Sequence, residues 1–477
     1  MNQERRVIVI GLDAADQLLM ERWAGEGALP NFAKLLDEGA YGILESTAEI
    51  FSGSAWISVA TGCGPGRCGV YSRYQLNSGT YDVGRVTASD CRVKPFWTSF
   101  KGPIVTIDVP KVPLVPQPDG FQVVEWGAYD HYSEFSTYPP GLAKRILDEF
   151  GDHPFRDDNF EVKLHQRRDF ATLRALLIEG VAMKQRLTAD LMKSVQPRFL
   201  LSAFGETHAA GHAFWRFQDP HHPSYEEASP YCTALRDVYR AIDDAIGEIL
   251  QELGENCILV ILSSQGFCLD SMADEDFLQK FLTTTKLSVP RLALTKYAAY
   301  TPGLTLDTTR SKAFCLPTDL QGYIRVNLKG REPDGWVSDG EYDVVCQEIE
   351  SELLALRHND LDVPVVKEVV RVRDRLNGSF LDRLPDLSVI WNCDRVVSEV
   401  QSPTCGRLAF APDLSAGGGN HRGVGFALIY GCGVRQGRFG GNVFDMAPTI
   451  ANWLQEESRP EWEGHILNIA GLEEPSR

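Results

Sequence analysis

The sequence predicts an α/β protein with a buried, mostly parallel central sheet, and three observations lead there. Arg6-Val7-Ile8-Val9-Ile10-Gly11-Leu12-Asp13 is a β-branched run almost without polar alternation, the pattern of a strand covered on both faces. Arg198-Phe199-Leu200-Leu201-Ser202-Ala203 and Ile258-Leu259-Val260-Ile261-Leu262-Ser263 repeat it. Amphipathic segments stand between such runs, among them Leu29 to Gly39 and Tyr239 to Leu250, so strands and helices alternate.

In chain order, the first strand ends in an acid. Ligands of open α/β sheets collect at the carboxyl ends of strands, which places Asp13 to bind a metal. Asp16 is the weaker candidate, because an acid there equally suits the first turn of the next helix. The helix from Leu29 stops at Gly39, and a strand passes through Ile43-Leu44-Glu45-Ser46. Ser52-Gly53-Ser54 then precedes an apolar helical pattern through Thr61. Ser52 or Ser54 is therefore expected at a helix N-terminus, where free N–H groups and the dipole can hold an oxyanion, although a plain N-cap is the ordinary use of such a serine.

After the Arg198 strand comes Phe204-Gly205-Glu206-Thr207-His208-Ala209-Ala210-Gly211-His212. If this segment is helical, positions i and i+4 share a face and both imidazoles reach one metal ion; alone, the pair reads equally well as a polar loop. Gln218-Asp219-Pro220-His221-His222-Pro223 reads as a solvated, proline-flanked loop. From about Cys268 to Asp413 the pattern is less regular, with a helix near Glu341 to Arg357. Lys329 and Arg331 there can face an anionic ligand or lie on a solvated loop. The run Gly417-Gly418-Gly419 gives the backbone freedom just before His421.

Composition narrows the function. The 477 residues suit one large domain with insertions or two to three ordinary domains. The 47 basic and 65 acidic residues give a charge of −18, which argues against nucleic acid and anionic membrane partners, so an anionic substrate must be drawn by a local site. No apolar run reaches the roughly 18 residues of a membrane span. The N-terminus runs straight into a strand, without the apolar segment of a signal peptide. The 11 scattered cysteines, with Cys63 and Cys68 the one close pair, fit a reduced cytoplasmic protein. Oligomeric state is not written in the sequence.

Several motifs resemble the type I phosphodiesterase/nucleotide pyrophosphatase branch of the alkaline phosphatase superfamily. They are Gly11-Leu12-Asp13, Leu29-Pro30-Asn31, Ser52 through Ala55-Trp56 to Thr61-Gly62 and Pro65-Gly66, and Glu206-Thr207 with His212 and Phe214-Trp215. Pro95-Phe96-Trp97, Ile107-Asp108-Val109-Pro110, Asn327 to Pro333, Leu384-Pro385-Asp386, and Asp445 with Ala447-Pro448-Thr449 extend the match over nearly the whole chain. The resemblance implies an alkaline-phosphatase-like three-layer sandwich, with residues 1–267 and 414–477 as the core and 268–413 as an inserted cap that selects the substrate. It also implies two metal ions, usually zinc, and a serine or threonine nucleophile. Asp13 matches the acid of the first strand, which is a metal ligand in the family, and Ser52 matches the nucleophile. His212 and His421 match two further ligands. Three positions depart: His208 replaces an Asp, and Ser264-Gln265 replaces an Asp-His pair.

Ser264 and Gln265 are weak ligands for a divalent metal, whereas His208, His212 and His421 form a three-histidine set of the kind that holds catalytic zinc at roughly 2.0–2.1 Å. One zinc ion is expected, with the second site degraded. The reading is metal-dependent cleavage or transfer at a phosphate or sulfate ester, diester or anhydride, with Ser52 attacking a small anionic substrate. A group transferase of a specialised biosynthetic pathway is one alternative. The other is a non-catalytic relative that binds an anionic ligand, for which the retention of Asp13 and Ser52 would be unnecessary.

Overall fold

The computed structural model describes residues 4–116, 119–129, 131–156, 168–271, 276–291, 298–317, 321–409 and 418–472. Nine strands form one sheet: β1 (Arg6–Leu12), β2 (Ala40–Glu45), β3 (Ile104–Ile107), β4 (Phe121–Val124), β5 (Ser136–Tyr138), β6 (Phe199–Phe204), β7 (Cys257–Ser263), β8 (Val424–Gly431) and β9 (Gly437–Asn442). Their spatial order is β9-β2-β8-β7-β1-β6-β3-β4-β5. β7, β1, β6, β3 and β4 run parallel, while β8 and β5 are antiparallel to their neighbours. The three apolar runs of the sequence are β1, β6 and β7, side by side at the centre and buried throughout except at Arg6.

Alternate residues of β1 feed two cores. Ile8, Ile10 and Leu12 pack with helices Gln17–Gly25, Pro30–Glu38, Phe170–Val195, Glu206–Gln218 and Ala234–Gln251. Val7 and Val9 pack on the other face with helices Ala55–Thr61 and Met446–Trp453. The result is three layers, as a strand hydrophobic on both sides requires. The expected helix from Leu29 is Pro30–Glu38, ended by Gly39, and the expected strand near Ile43 is β2.

The parallel register sets the site. Leu12 lies opposite both Phe204 and Ser263, so Asp13, Gly205 and Ser264 leave the sheet along one edge. Above that edge Gly266–Leu269 pairs antiparallel with Gly419–Arg422, with Phe267 opposite His421. Gly418 has φ +73°, a conformation suited to glycine; Gly417 lies outside the described residues.

The less regular stretch contains an antiparallel sheet in the order Ala313–Leu316, Gly322–Val326, Leu387–Trp391, Val366–Arg371. It has its own core, shared with helix Asp339–Leu354, whose start is fixed by reciprocal bonds between Ser338 and Glu341. The sheet joins the Ser52 region directly: Ser388 Oγ donates to Ile50 O at 2.9 Å, and Gln321 Nε2 to Glu49 O at 3.1 Å. The junction expected at residues 413 and 414 lies outside the described residues.

Candidate metal and phosphoryl-transfer site

Asp13 follows the last residue of β1, and its N–H donates to Phe204 O at 2.9 Å. Trp56 Nε1 donates to its Oδ1 at 2.7 Å, and its Oδ2 lies 2.8 Å from His208 Nδ1. Trp56 reaches across β1 because Gly11 has no side chain: a Cβ there would sit 2.4 Å from Trp56 Cη2.

Helix Glu206–Gln218 starts directly after β6 and carries His208 and His212 one turn apart, with their Nε2 atoms 3.1 Å from each other. His212 Nδ1 lies 2.9 Å from Gly419 O. A carbonyl and a carboxylate can only accept, so both Nδ1 atoms bear the proton and both Nε2 atoms present lone pairs. Two lone pairs at this distance repel unless a cation lies between them. Two nitrogens of a tetrahedral zinc site stand about 3.3 Å apart, so the spacing fits a shared metal.

His421 completes the group. Its ring centroid is 4.5 Å from that of His208 and 5.0 Å from that of His212. One ligand nitrogen from each histidine lies within 4.8 Å of the others, the one such group among the described residues. His421 Nδ1 is buried without a hydrogen-bond partner among the described residues. Burial, then the neighbouring His208, His212 and Lys111, holds His421 well below the usual histidine range, which favours the neutral, ligating form.

Two contacts seat the two-stranded ribbon that brings His421. Gly419 presses on the helix so closely that a Cβ would lie 2.4 Å from Gly211 O. Arg422 pairs with Asp16 at 2.7 Å, while Asp16 Oδ1 caps helix Gln17–Gly25 through Leu19 N–H at 3.0 Å. Asp16 thus serves the helix start and the ribbon. Asp13, expected as a metal ligand, stands outside the three-histidine group, with its oxygens on Trp56 and His208. Ser264 Oγ and Gln265 Oε1 are buried without partners among the described residues.

Ser52 opens a 3₁₀ turn, Ser52–Ser54, that runs into helix Ala55–Thr61. Ser54 holds the cap position, but its hydroxyl is engaged with Phe51 O at 2.7 Å and Thr47 Oγ1 at 3.0 Å. The Ser52 hydroxyl is buried with no partner among the described residues. Lys111, which the sequence reading passed over, donates from Nζ to Gly53 O at 2.8 Å and lies 5.1 Å from the Tyr132 ring centroid. Trp56, on the helix that the Ser52 turn runs into, bonds Asp13 and through it reaches His208, while Lys111 holds the turn itself at Gly53.

Other expected positions have different surroundings. Arg331 is locked in ion pairs with Asp386 at 2.6 Å and Glu332 at 2.9 Å, and Lys329 is exposed. His221 is exposed and bonded to Asp219, whereas His222, expected in a solvated loop, is buried.

Solved structures of low identity share this fold. Phosphonoacetate hydrolase from Sinorhizobium meliloti 1021, known with phosphonoformate and with phosphonoacetate, aligns at TM-score 0.54 and 13% identity over 94% of this chain and 96% of that one. A mutant of alkaline phosphatase PafA aligns at TM-score 0.53 and 13% identity over 98% of this chain and 99% of that one. The architecture is the alkaline-phosphatase-like α/β fold. No curated protein matches the sequence. The family description type I phosphodiesterase/nucleotide pyrophosphatase matches residues 7–406, and the chain belongs to that enzyme family, whose chemistry is phosphoryl transfer and hydrolysis. Among the described residues no helix is long and apolar enough to cross a membrane.

Proposed function

We propose that the chain cleaves or transfers the phosphoryl or sulfuryl group of a small anionic ester, diester or anhydride, with Ser52 as nucleophile. The observation behind this reading is the pair of acceptor nitrogens of His208 and His212, 3.1 Å apart and joined by His421, in a chain that also keeps the Ser52 hydroxyl buried and unengaged. His208, His212 and His421 would hold one zinc ion, which suits an all-imidazole set; bound there, it supplies Lewis-acid charge to the oxygens of the transferred group.

The remaining chemistry belongs to the chain. Asp13 fixes the tautomer and orientation of His208. In the first half-reaction the Ser52 Oγ–phosphorus bond forms as the bond to the leaving oxygen breaks; the hydroxyl proton departs and the leaving oxygen takes one up. In the second, water or an acceptor hydroxyl attacks phosphorus, and Ser52 is released and reprotonated. Lys111 holds positive charge beside the Ser52 turn, where the neutral Ser264 and Gln265 leave a second metal without strong ligands. Residues 1–267 and 414–477 form the catalytic core, and 268–413 cover the site, consistent with the bonds from Gln321 and Ser388 to the turn before Ser52. Eleven free cysteines fit a reducing compartment, the cytoplasm.

Ser52→Ala is the test. Turnover should fall to background while bound metal stays unchanged, and intact-mass measurement of a quenched wild-type reaction should show an adduct that Ser54→Ala retains. A residual rate within about 100-fold of wild type would assign the attack to metal-bound water instead.

A further inference from the structure

We propose that Cys268 and Cys393 are a reversible disulfide site that fastens the two-stranded ribbon bearing His421 to the antiparallel sheet above it. Cys268 lies on ribbon strand Gly266–Leu269, beside the residue that pairs with His421, and its thiol donates to His421 O at 3.4 Å. Cys393 lies two residues beyond strand Leu387–Trp391, with its sulfur 3.6 Å from Trp391 O. The two thiols are neighbours, close enough to act on each other's ionisation. Both line one cavity of about 150 Å³, together with His421, Arg422, Lys367 and Trp391.

The backbones around the pair are already tied, since Val397 N–H donates to Ser271 O at 2.9 Å. Thiols in contact need only a local approach to the roughly 2.05 Å of an S–S bond. Both residues are partly exposed. Cys68 and Cys91 are a second pair in contact, but Cys68 is fully buried. Neither Cys268 nor Cys393 has a part in the phosphoryl chemistry proposed above.

With glutathione disulfide as oxidant, the Cys393 thiolate attacks one sulfur of the oxidant and expels a glutathione thiolate. The Cys268 thiolate then attacks the Cys393 sulfur of the mixed disulfide, forming the Cys268–Cys393 bond and expelling the second glutathione. The two glutathione thiolates take up the protons lost by the two cysteines, so two protein thiols are oxidised and one disulfide is reduced to two thiols. The bond closes the cavity wall beside His421 and joins segments far apart in sequence.

The experiment incubates the full chain with glutathione buffers of increasing oxidised fraction, blocks free thiols with N-ethylmaleimide, and maps peptides without reduction. A linked Cys268–Cys393 peptide should appear before any involving Cys68 and disappear with dithiothreitol. The thermal midpoint should rise on oxidation in the wild type and stay unchanged in Cys393→Ser and in Cys268→Ala, with Cys393 of the latter trapped as a glutathione adduct. Absence of the linked peptide at every ratio, or its appearance only after denaturation, overturns the proposal. These readouts do not involve turnover, so they stand or fall independently of Ser52.

Discussion

Replacing Asp13 with Asn tests the core of the metal site, because the two oxygens of that carboxylate have different tasks. Oδ1 accepts from Trp56 Nε1 at 2.7 Å, and an amide oxygen can still do so. Oδ2 accepts from His208 Nδ1 at 2.8 Å, and an amide nitrogen cannot. His208 must then move its proton to Nε2, the atom 3.1 Å from His212 Nε2, and so withdraws its lone pair from the site. Loss of such an orienting partner weakens a metal site about 10- to 100-fold, or about 1.4–2.8 kcal/mol. Competition with a chromophoric zinc chelator measures that affinity, and a thermal melt checks the fold. Asp13→Ala should show the same metal loss together with about 1–3 kcal/mol of lost stability from the stranded indole N–H. Unchanged affinity in Asp13→Asn would refute the orienting role. Complete loss of metal from a well-folded variant would make Asp13 a ligand.

Other outcomes follow from neighbouring residues. Lys111→Met should lower turnover about 100- to 1,000-fold, and Lys111→Arg should recover part of it with bound zinc unchanged in both; activity and elemental analysis together check this. Ser264→Asp combined with Gln265→His should raise bound metal from one to two equivalents by elemental analysis, because it supplies two strong ligands where two buried polar atoms stand unpartnered. Burial pushes the Asp386 carboxyl up, but Arg331, Arg325 and the Tyr342 hydroxyl hold it below the usual carboxylate range. A depressed carboxylate stabilises the fold above its unfolded value of about 3.9 and loses that contribution as pH falls through its folded value. Asp386→Asn should therefore be less stable than wild type at pH 7, and urea melts should show the gap narrowing below about pH 4.

The parts of the site that were legible in the sequence are those governed by local period. β1, β6 and β7 announced themselves because strands covered on both faces cannot afford polar alternation. His208 and His212 share a face because helical spacing places i and i+4 together. His421 came from the resemblance, since nothing within the chain ties a histidine two hundred residues downstream to that helix. What stayed hidden depends on tertiary placement. Asp13 turns toward His208 because Trp56 crosses Gly11, and no spacing rule encodes that crossing. Lys111 reaches Gly53 from a different strand connection, and its left-handed backbone, φ 64°, is invisible in composition. The second sheet escaped for a different reason. Ala313–Leu316, Gly322–Val326 and Leu387–Trp391 are short and buried at every residue, so they show neither alternation nor helical period.

The strand order also bears on how the chain emerges during synthesis. β2, residues 40–45, has two neighbours in the sheet, β8 and β9, and both lie beyond residue 423. About 380 residues must follow β2 before either partner exists, roughly 20–75 s at ordinary elongation rates. From residue 263 onward the nascent chain carries three unsatisfied backbone edges, two on β2 and one on β7, whose second neighbour is also β8. A chain stopped near residue 420 would already contain all five parallel strands, β7, β1, β6, β3 and β4, and both helix-borne histidines, yet would keep those edges open to other chains. Residues 424–442 thus seal the sheet, and truncations that remove them should be lost to aggregation well before they are lost to any defect in the chemistry.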